Sequence, residues 1–184
     1  LLGINWAIRR RGRDDVNILL NNKVIDIAGV KAHCVKSTDY EDMKLLIEKI
    51  KPEIFIHTAG MTSVDDCTEH PELSEVSNTH IAYIGSKVCS ELGVKFIHIS
   101  TDHLFDGLSA FNKEDMKTLA LNNYAKHKLK AEKLVMDANP NALIARTNFF
   151  GWGPYYRRSF SDIIIDHLKE KRSFNMFDDV FFTP

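Results

Sequence analysis

The chain has 184 residues, with 24 Lys and Arg against 25 Asp and Glu, 44% hydrophobic residues and 27% charged ones. That balance fits one globular domain with a sizeable core and gives no electrostatic reason for a nucleic acid or a membrane surface as the main partner. No apolar stretch approaches the ~20 residues of a membrane span, and the eight histidines form no HExxH or Cys/His cluster, which argues against a structural metal site.

The first apolar segment is interrupted by Trp6 and by the run Arg9-Arg10-Arg11-Gly12-Arg13, so it does not read as a signal peptide. The run reads as a solvated helix end, where cations are favoured. The three cysteines, Cys34, Cys67 and Cys89, lack CxxC spacing and fit buried thiols in a reducing cytoplasm. Strand-length apolar runs then alternate with helical periods. Val16–Leu20 and Ala32–Val35 read as strands, and Tyr40–Ile50 as a helix stopped by Pro52. Glu53–His57 is a buried-type strand, Pro71–Leu92 one long helix closed by Gly93, and Val94–Ser100 another strand. Leu121–Asp137 reads as a helix, Ala142–Thr147 as a strand and Ser159–Glu170 as the last helix. The alternation predicts a parallel sheet covered on both faces. Ligands of such sheets bind at the C-terminal strand ends, so the residues after Thr58, Ser100 and Thr147 are the first places to look for chemistry.

A Tyr and a Lys four apart on a helix share a face. The ammonium can then favour the phenolate and lower the phenol from its usual ~10, fitting it for proton transfer to a carbonyl oxygen. The chain contains this spacing three times, as Tyr40/Lys44, Tyr83/Lys87 and Tyr124/Lys128. Tyr83 and Lys87 share their arc with His80, Ser90 and Glu91, and Tyr40 and Lys44 sit beside Glu48 and Lys51, so both pairs read as solvated. The arc of Tyr124 and Lys128 instead holds Leu121, Ala125, Ala131, Val135 and Met136. A lysine there faces the core or a cleft, which is costly without a partner; the competing reading is a snorkelling lysine under a packed tyrosine. The strand ending in Ile99-Ser100-Thr101-Asp102 offers a hydroxyl that can bond the same carbonyl oxygen, although Ser-Thr-Asp also favours a simple turn.

Ile99-Ser100-Thr101-Asp102-His103-Leu104-Phe105-Asp106-Gly107 resembles the STDxxFDG segment of the dTDP-4-dehydrorhamnose reductases, a branch of the extended short-chain dehydrogenases. Tyr124, Lys128 and Glu132 resemble the family's YxxxKxxxE helix, His57–Asp65 its HAAAxTxVD loop and Arg146–Gly151 its RTxxxyG segment, while Asp179 to Thr183-Pro184 resembles the lead-in to its substrate region. The resemblance implies a Rossmann-like, doubly wound α/β domain over 1–184 and NAD(P)H-dependent reduction of a 4-keto nucleotide sugar in the cytoplasm, with neither nucleic acid nor membrane as partner. A homo-oligomer, an epimerase or dehydratase of the same superfamily, and a non-catalytic subunit keeping the fold remain open. Tyr124 is implied as general acid, Lys128 as the residue that tunes it and holds the nicotinamide ribose, and Thr101 as the carbonyl-binding hydroxyl. Ala59, Gly60, Ser100 and Asn148 are implied around the cofactor, and Thr62 and Asp102 at the same cleft. His103 stands where the family more often has Tyr, Gly60 where Ala is usual, and Lys36 where many relatives have Asp. Leu1-Leu2-Gly3 resembles the end of a GxxGxxG turn, with Gly3 as third glycine and the first strand missing from the chain, which is therefore expected to be a fragment with most of the substrate region beyond Pro184. Counting about 20 residues on from Gly3 reaches Asn21-Asn22-Lys23 with no acid at the strand end, which leans towards NADPH over NADH with Lys23 near the 2′-phosphate.

Overall fold

The computed structural model describes residues 2–21, 25–109, 111–149, 151–153 and 158–176. Lys23, Asp179, Thr183 and Pro184 lie outside them. Helix α1 (Leu2–Arg10) carries Arg9 and Arg10 in its last turn. Strands β1 (Asn17–Leu20) and β2 (Lys31–Cys34) follow, then α2 (Tyr40–Ile50). Asp39 caps α2 by accepting from the Asp42 amide at 3.1 Å, and Lys51 closes it with φ 51° immediately before Pro52. Strand β3 (Ile54–His57) leads to α3 (Val64–Glu69) and α4 (Pro71–Glu75). Next come α5 (Ile81–Leu92), β4 (Lys95–Ile99), α6 (Asn123–Ala138), β5 (Leu143–Ala145) and α7 (Phe160–Lys169).

Every strand pair is parallel. Among the described residues the ladders form two sheets, β2-β1 and β3-β4-β5, in a Rossmann-like arrangement. Helices α2, α5 and α6 make one layer over them. Ala82 and Cys89 of α5 meet Ala131 and Val135 of α6 over Phe96 of β4. Met43 and Ile47 of α2 meet Ile84 and Val88 of α5, with Leu19 of β1 and Phe55 of β3 against them. The period-2 alternation of β3 turns Phe55 and His57 towards this layer and leaves Ile54 and Ile56 exposed on the opposite face. Ile56 pairs in register with Ile97 and Ile97 with Leu143, and Leu143 is exposed too. The sheet was expected to be covered on both faces; among the described residues, Ile54, Ile56 and Leu143 are left uncovered on the second.

Two further expectations change, and one element had no counterpart in the sequence reading. The single helix over Pro71–Leu92 is broken by a π-helical turn at Val76–His80. Its wider ring turns Asn78 and Thr79 into the core, where Thr79 donates to the His127 carbonyl at 2.8 Å. The stretch before Pro71 is a helix, α3, whose Ser63 cap accepts from the Asp66 amide at 3.1 Å. The cysteines are not all buried: Cys67 and Cys89 are, but Cys34 is exposed because β2 pairs with β1 alone and presents its residues to solvent. Among the described residues no helix is long and apolar enough to cross a membrane.

Candidate active site

The C-terminal ends of the strands carry two adjoining groups of residues. An open cleft of about 470 Å³ is lined by Asn21 after β1, Ser37 after β2 and Ala59, Gly60, Met61 and Thr62 after β3. That volume is within the range of small-molecule sites. The backbone is crowded beneath it. A Cβ on Gly60 would sit 2.6 Å from the Asn78 Oδ1, and one on Gly3 would sit 2.6 Å from the Thr58 Oγ1, so Gly3 allows α1 to lie close against the end of β3. The buried Asn78 amide donates to the Met61 carbonyl at 3.0 Å and to the Ser74 hydroxyl at 3.2 Å, which fixes the loop from inside.

The second group lies after β4 and on α6. Thr101 is buried directly after the strand, its hydroxyl accepting from the His103 amide at 3.2 Å and directed at the Asp102 carboxylate at 3.4 Å, close enough to the Tyr124 phenol to favour its ionised form. Tyr124 sits one residue inside α6, whose Asn122 cap accepts from the Ala125 amide at 2.8 Å. The His103 ring meets the Tyr124 ring edge-on at 5.6 Å between centroids. Asp102 accepts from the Asn148 amide at 2.8 Å, so the two cross-link the loops after β4 and β5. The Ser100 hydroxyl is buried and without a hydrogen-bond partner.

Lys128 lies one turn after Tyr124 and is 4% exposed. Its ammonium donates to the Ile99 carbonyl at 2.6 Å and contacts the His98 Nε2 at 3.2 Å. Burial lowers its pKa to about 8, against the opposing pull of Glu132. Burial likewise holds the Tyr124 phenol above its ordinary value, with the Thr101 hydroxyl pulling the other way. The helical spacing suggests that Lys128 lowers Tyr124; in the structure the ammonium is turned to the β4 backbone and to His98, and desolvation dominates the phenol. Beneath Lys128, Glu132 is buried and receives Arg146 side-on, Nη2 to Oε2 at 2.8 Å and Nε to Oε1 at 3.0 Å. Among the described residues no group of three His, Cys, Asp or Glu side chains is gathered to hold a metal ion.

The two competing Tyr/Lys pairs lie elsewhere. Tyr40 and Lys44 both bond Glu91, and Lys87 lies 4.9 Å above the Tyr40 ring, in a partly exposed cluster on α2 and α5. Sequence reasoning did not single out His57, His98, Glu132 or Arg146 as site neighbours. The register His57↔His98 makes a contact of the two rings visible only once β3 and β4 are paired.

A family model described as the RmlD substrate binding domain matches residues 14–184. The chain belongs to this family. It is 28% identical over 182 residues to a dTDP-4-dehydrorhamnose reductase of Salmonella typhimurium, covering 98% of this chain and 58% of that one. It is 34% identical over 113 residues to methionine adenosyltransferase 2 subunit beta of Xenopus laevis, covering 61% of this chain and 34% of that one. A solved structure described as a hypothetical dTDP-4-dehydrorhamnose reductase from Sulfolobus tokodaii superposes with a TM-score of 0.81 at 26% identity, over 94% of this chain and 59% of that one. The chain thus spans roughly a third to three-fifths of the length of these relatives.

Proposed function

We propose that residues 1–184 form the dinucleotide-binding domain of an NADPH- or NADH-dependent reductase of a 4-keto nucleotide sugar, with Thr101, Tyr124 and Lys128 as its catalytic set. The observation that carries the reading is the buried Thr101 hydroxyl beside the Tyr124 phenol at a strand end, with the buried Lys128 ammonium one helical turn away.

Two features fit a dinucleotide. Ala59 and Gly60 line an open cleft over backbone so close-packed that a Cβ on Gly60 would strike Asn78, which suits close approach of the cofactor. The Ser100 hydroxyl is an orphaned buried group at the same strand ends. In this reading Gly3, Ala59, Gly60, Ser100, Tyr124, Lys128 and Asn148 hold the cofactor, Lys23 is the candidate partner of its ribose phosphate, and the bound dinucleotide supplies the hydride. Thr62 and Asp102 adjoin the sugar. Burial keeps the Tyr124 phenol protonated at neutral pH, as a general acid requires, and the Thr101 hydroxyl is a second donor to the same carbonyl oxygen. The ammonium of Lys128 has a third proton beyond those directed at Ile99 and His98, free for a ribose hydroxyl.

The test is reduction of a 4-keto nucleotide sugar with one NADPH consumed per product. In the full-length protein Tyr124→Phe is expected to lower turnover by ~10²-fold or more, and Tyr83→Phe to do little. Equal turnover of Tyr124→Phe and the parent overturns the assignment, and conversion without net NADPH use points to an epimerase or dehydratase. The similarity to methionine adenosyltransferase 2 subunit beta favours a second reading, a subunit that keeps the fold and the cofactor. Tight NADPH binding with no turnover of any ketosugar supports that one.

A further inference from the structure

Three cationic or potentially cationic side chains are buried in a row under the strand ends. Lys128 is 4% exposed, His98 is fully buried and His57 is 3% exposed. The His98 Nε2 lies 3.2 Å from the Lys128 Nζ, the His98 Nδ1 lies 3.1 Å from the His57 Nδ1, and the His57 Nε2 has no partner. The rings of His57 and His98 lie nearly parallel and edge to edge, 5.2 Å between centroids, with the Phe96 ring 6.2 Å from His57. Both imidazoles must be neutral here, since a second or third cation in this apolar stack would have no counter-charge. Burial pushes both well below the ordinary histidine value.

Neutrality gives the row one direction. A lysine ammonium has donors only. The His98 Nε2 therefore accepts, and its single proton is on Nδ1. That proton points at the His57 Nδ1, which must then accept, so the His57 proton is on Nε2. We propose that His98 is a positioning residue that holds the Lys128 ammonium, and that His57 fixes His98 in the one tautomer able to do so. The Ile99 carbonyl at 2.6 Å takes one ammonium proton and His98 a second, which directs the third out of the strand ends. The consequence for catalysis rests on the role proposed above for Lys128; the tautomers and the lysine's position do not.

Burial sets the charge state of Lys128 first, against the pull of Glu132 from α6, itself paired with Arg146 beside β5; the other titratable groups of the row are His98 from β4 and His57 from β3. Long-range ¹H–¹⁵N correlation spectra of the ¹⁵N-labelled 184-residue chain at pH 6.5 are expected to show His98 as the Nδ1–H tautomer and His57 as the Nε2–H tautomer, both still neutral at pH 5. His98 found as Nε2–H or as imidazolium overturns the proposal. The second measurement follows the Lys128 Nζ shift with pH. His98→Phe removes an acceptor that stabilises the ammonium, so the midpoint is expected to fall by about one unit, a tenfold change in the protonation constant. His98→Gln presents an oxygen near the former Nε2 and is expected to restore most of it. Identical midpoints in the parent, His98→Phe and His98→Gln overturn the positioning role. If His98→Phe does not fold, the parent's tautomers decide. Correct tautomers together with failure to reduce any ketosugar leave the positioning intact and refute the proposed reaction instead.

Discussion

Replacing Arg146 by methionine is expected to be among the more destabilising changes outside the apolar core. The guanidinium reaches the Glu132 carboxylate through two parallel contacts, donates to the Glu114 carbonyl at 3.0 Å and lies 5.5 Å over the Phe105 ring. Methionine keeps most of the stem's packing and removes the charge, so the loss reports the ion pair. The Glu132 side chain is only 8% exposed, and without Arg146 it loses its hydrogen-bonded partner and keeps only the Lys128 ammonium as a nearby opposite charge. Breaking a buried pair costs about 3–5 kcal/mol. Arg146 is 22% exposed, so water can partly replace it and the lower end, about 3 kcal/mol, applies. That is a large share of the ~5–15 kcal/mol of a whole domain. Glu132→Leu should cost a similar amount by stranding the guanidinium. The double variant Glu132→Leu/Arg146→Met removes both charges and should cost no more than either single change, with a coupling of about 3 kcal/mol. Urea unfolding of the four proteins measures this, provided the denaturant slope is unchanged. Single-variant costs under about 1 kcal/mol, or costs that simply add, would refute the claim that this pair is a coupled, water-poor unit.

Burial of Lys128 should also make stability depend on pH. Its pKa is lowered to about 8 in the folded chain, so the unfolded chain binds more protons above that pH and stability rises towards the ordinary lysine value. The parent should therefore gain stability relative to Lys128→Met between pH 8 and 9.5, and a constant difference in urea midpoint across that range would contradict it. Gly93 closes α5 at φ 68° with open space around its Cα, so Gly93→Ala should cost about 1 kcal/mol through backbone strain alone. Gly12→Ala, also in open space but without a positive φ, serves as the control, and equal melting temperatures for the two variants would count against the argument. Ser159→Ala removes the hydroxyl that accepts from the Asp162 amide at 3.1 Å, and circular dichroism should show α7 melting earlier, by about 1 kcal/mol; an unchanged melt would mean that α7 is held by packing.

The sequence by itself determined the order and nature of most elements, because the signals that define them are local. Tyr40–Ile50 is bounded by Asp39 at one end and Lys51-Pro52 at the other, and α5 by Gly93, all readable without knowing what packs where. The burial of Lys128 was legible from the helical arc it shares with Ala125, Ala131 and Val135, which separates it from the two exposed or half-exposed Tyr/Lys pairs. Thr101 and Tyr124 were legible as a strand-end hydroxyl and a helix-start phenol, but their proximity belongs to the loop that joins β4 to α6. Only the tertiary structure decided what the Lys128 ammonium touches. An ammonium four residues from a phenol can turn along the helix or across to the sheet, and the Ile99 carbonyl and the His98 ring, thirty residues away, decide the direction. The π-helical turn at Val76–His80 has the same origin: no local propensity calls for it, and it exists where Asn78 and Thr79 find partners at Met61 and His127. Periodicity and capping are properties of a short stretch of chain, whereas these contacts depend on which strand lies beside which, and parallel β3–β4 pairing alone brings His57 to His98.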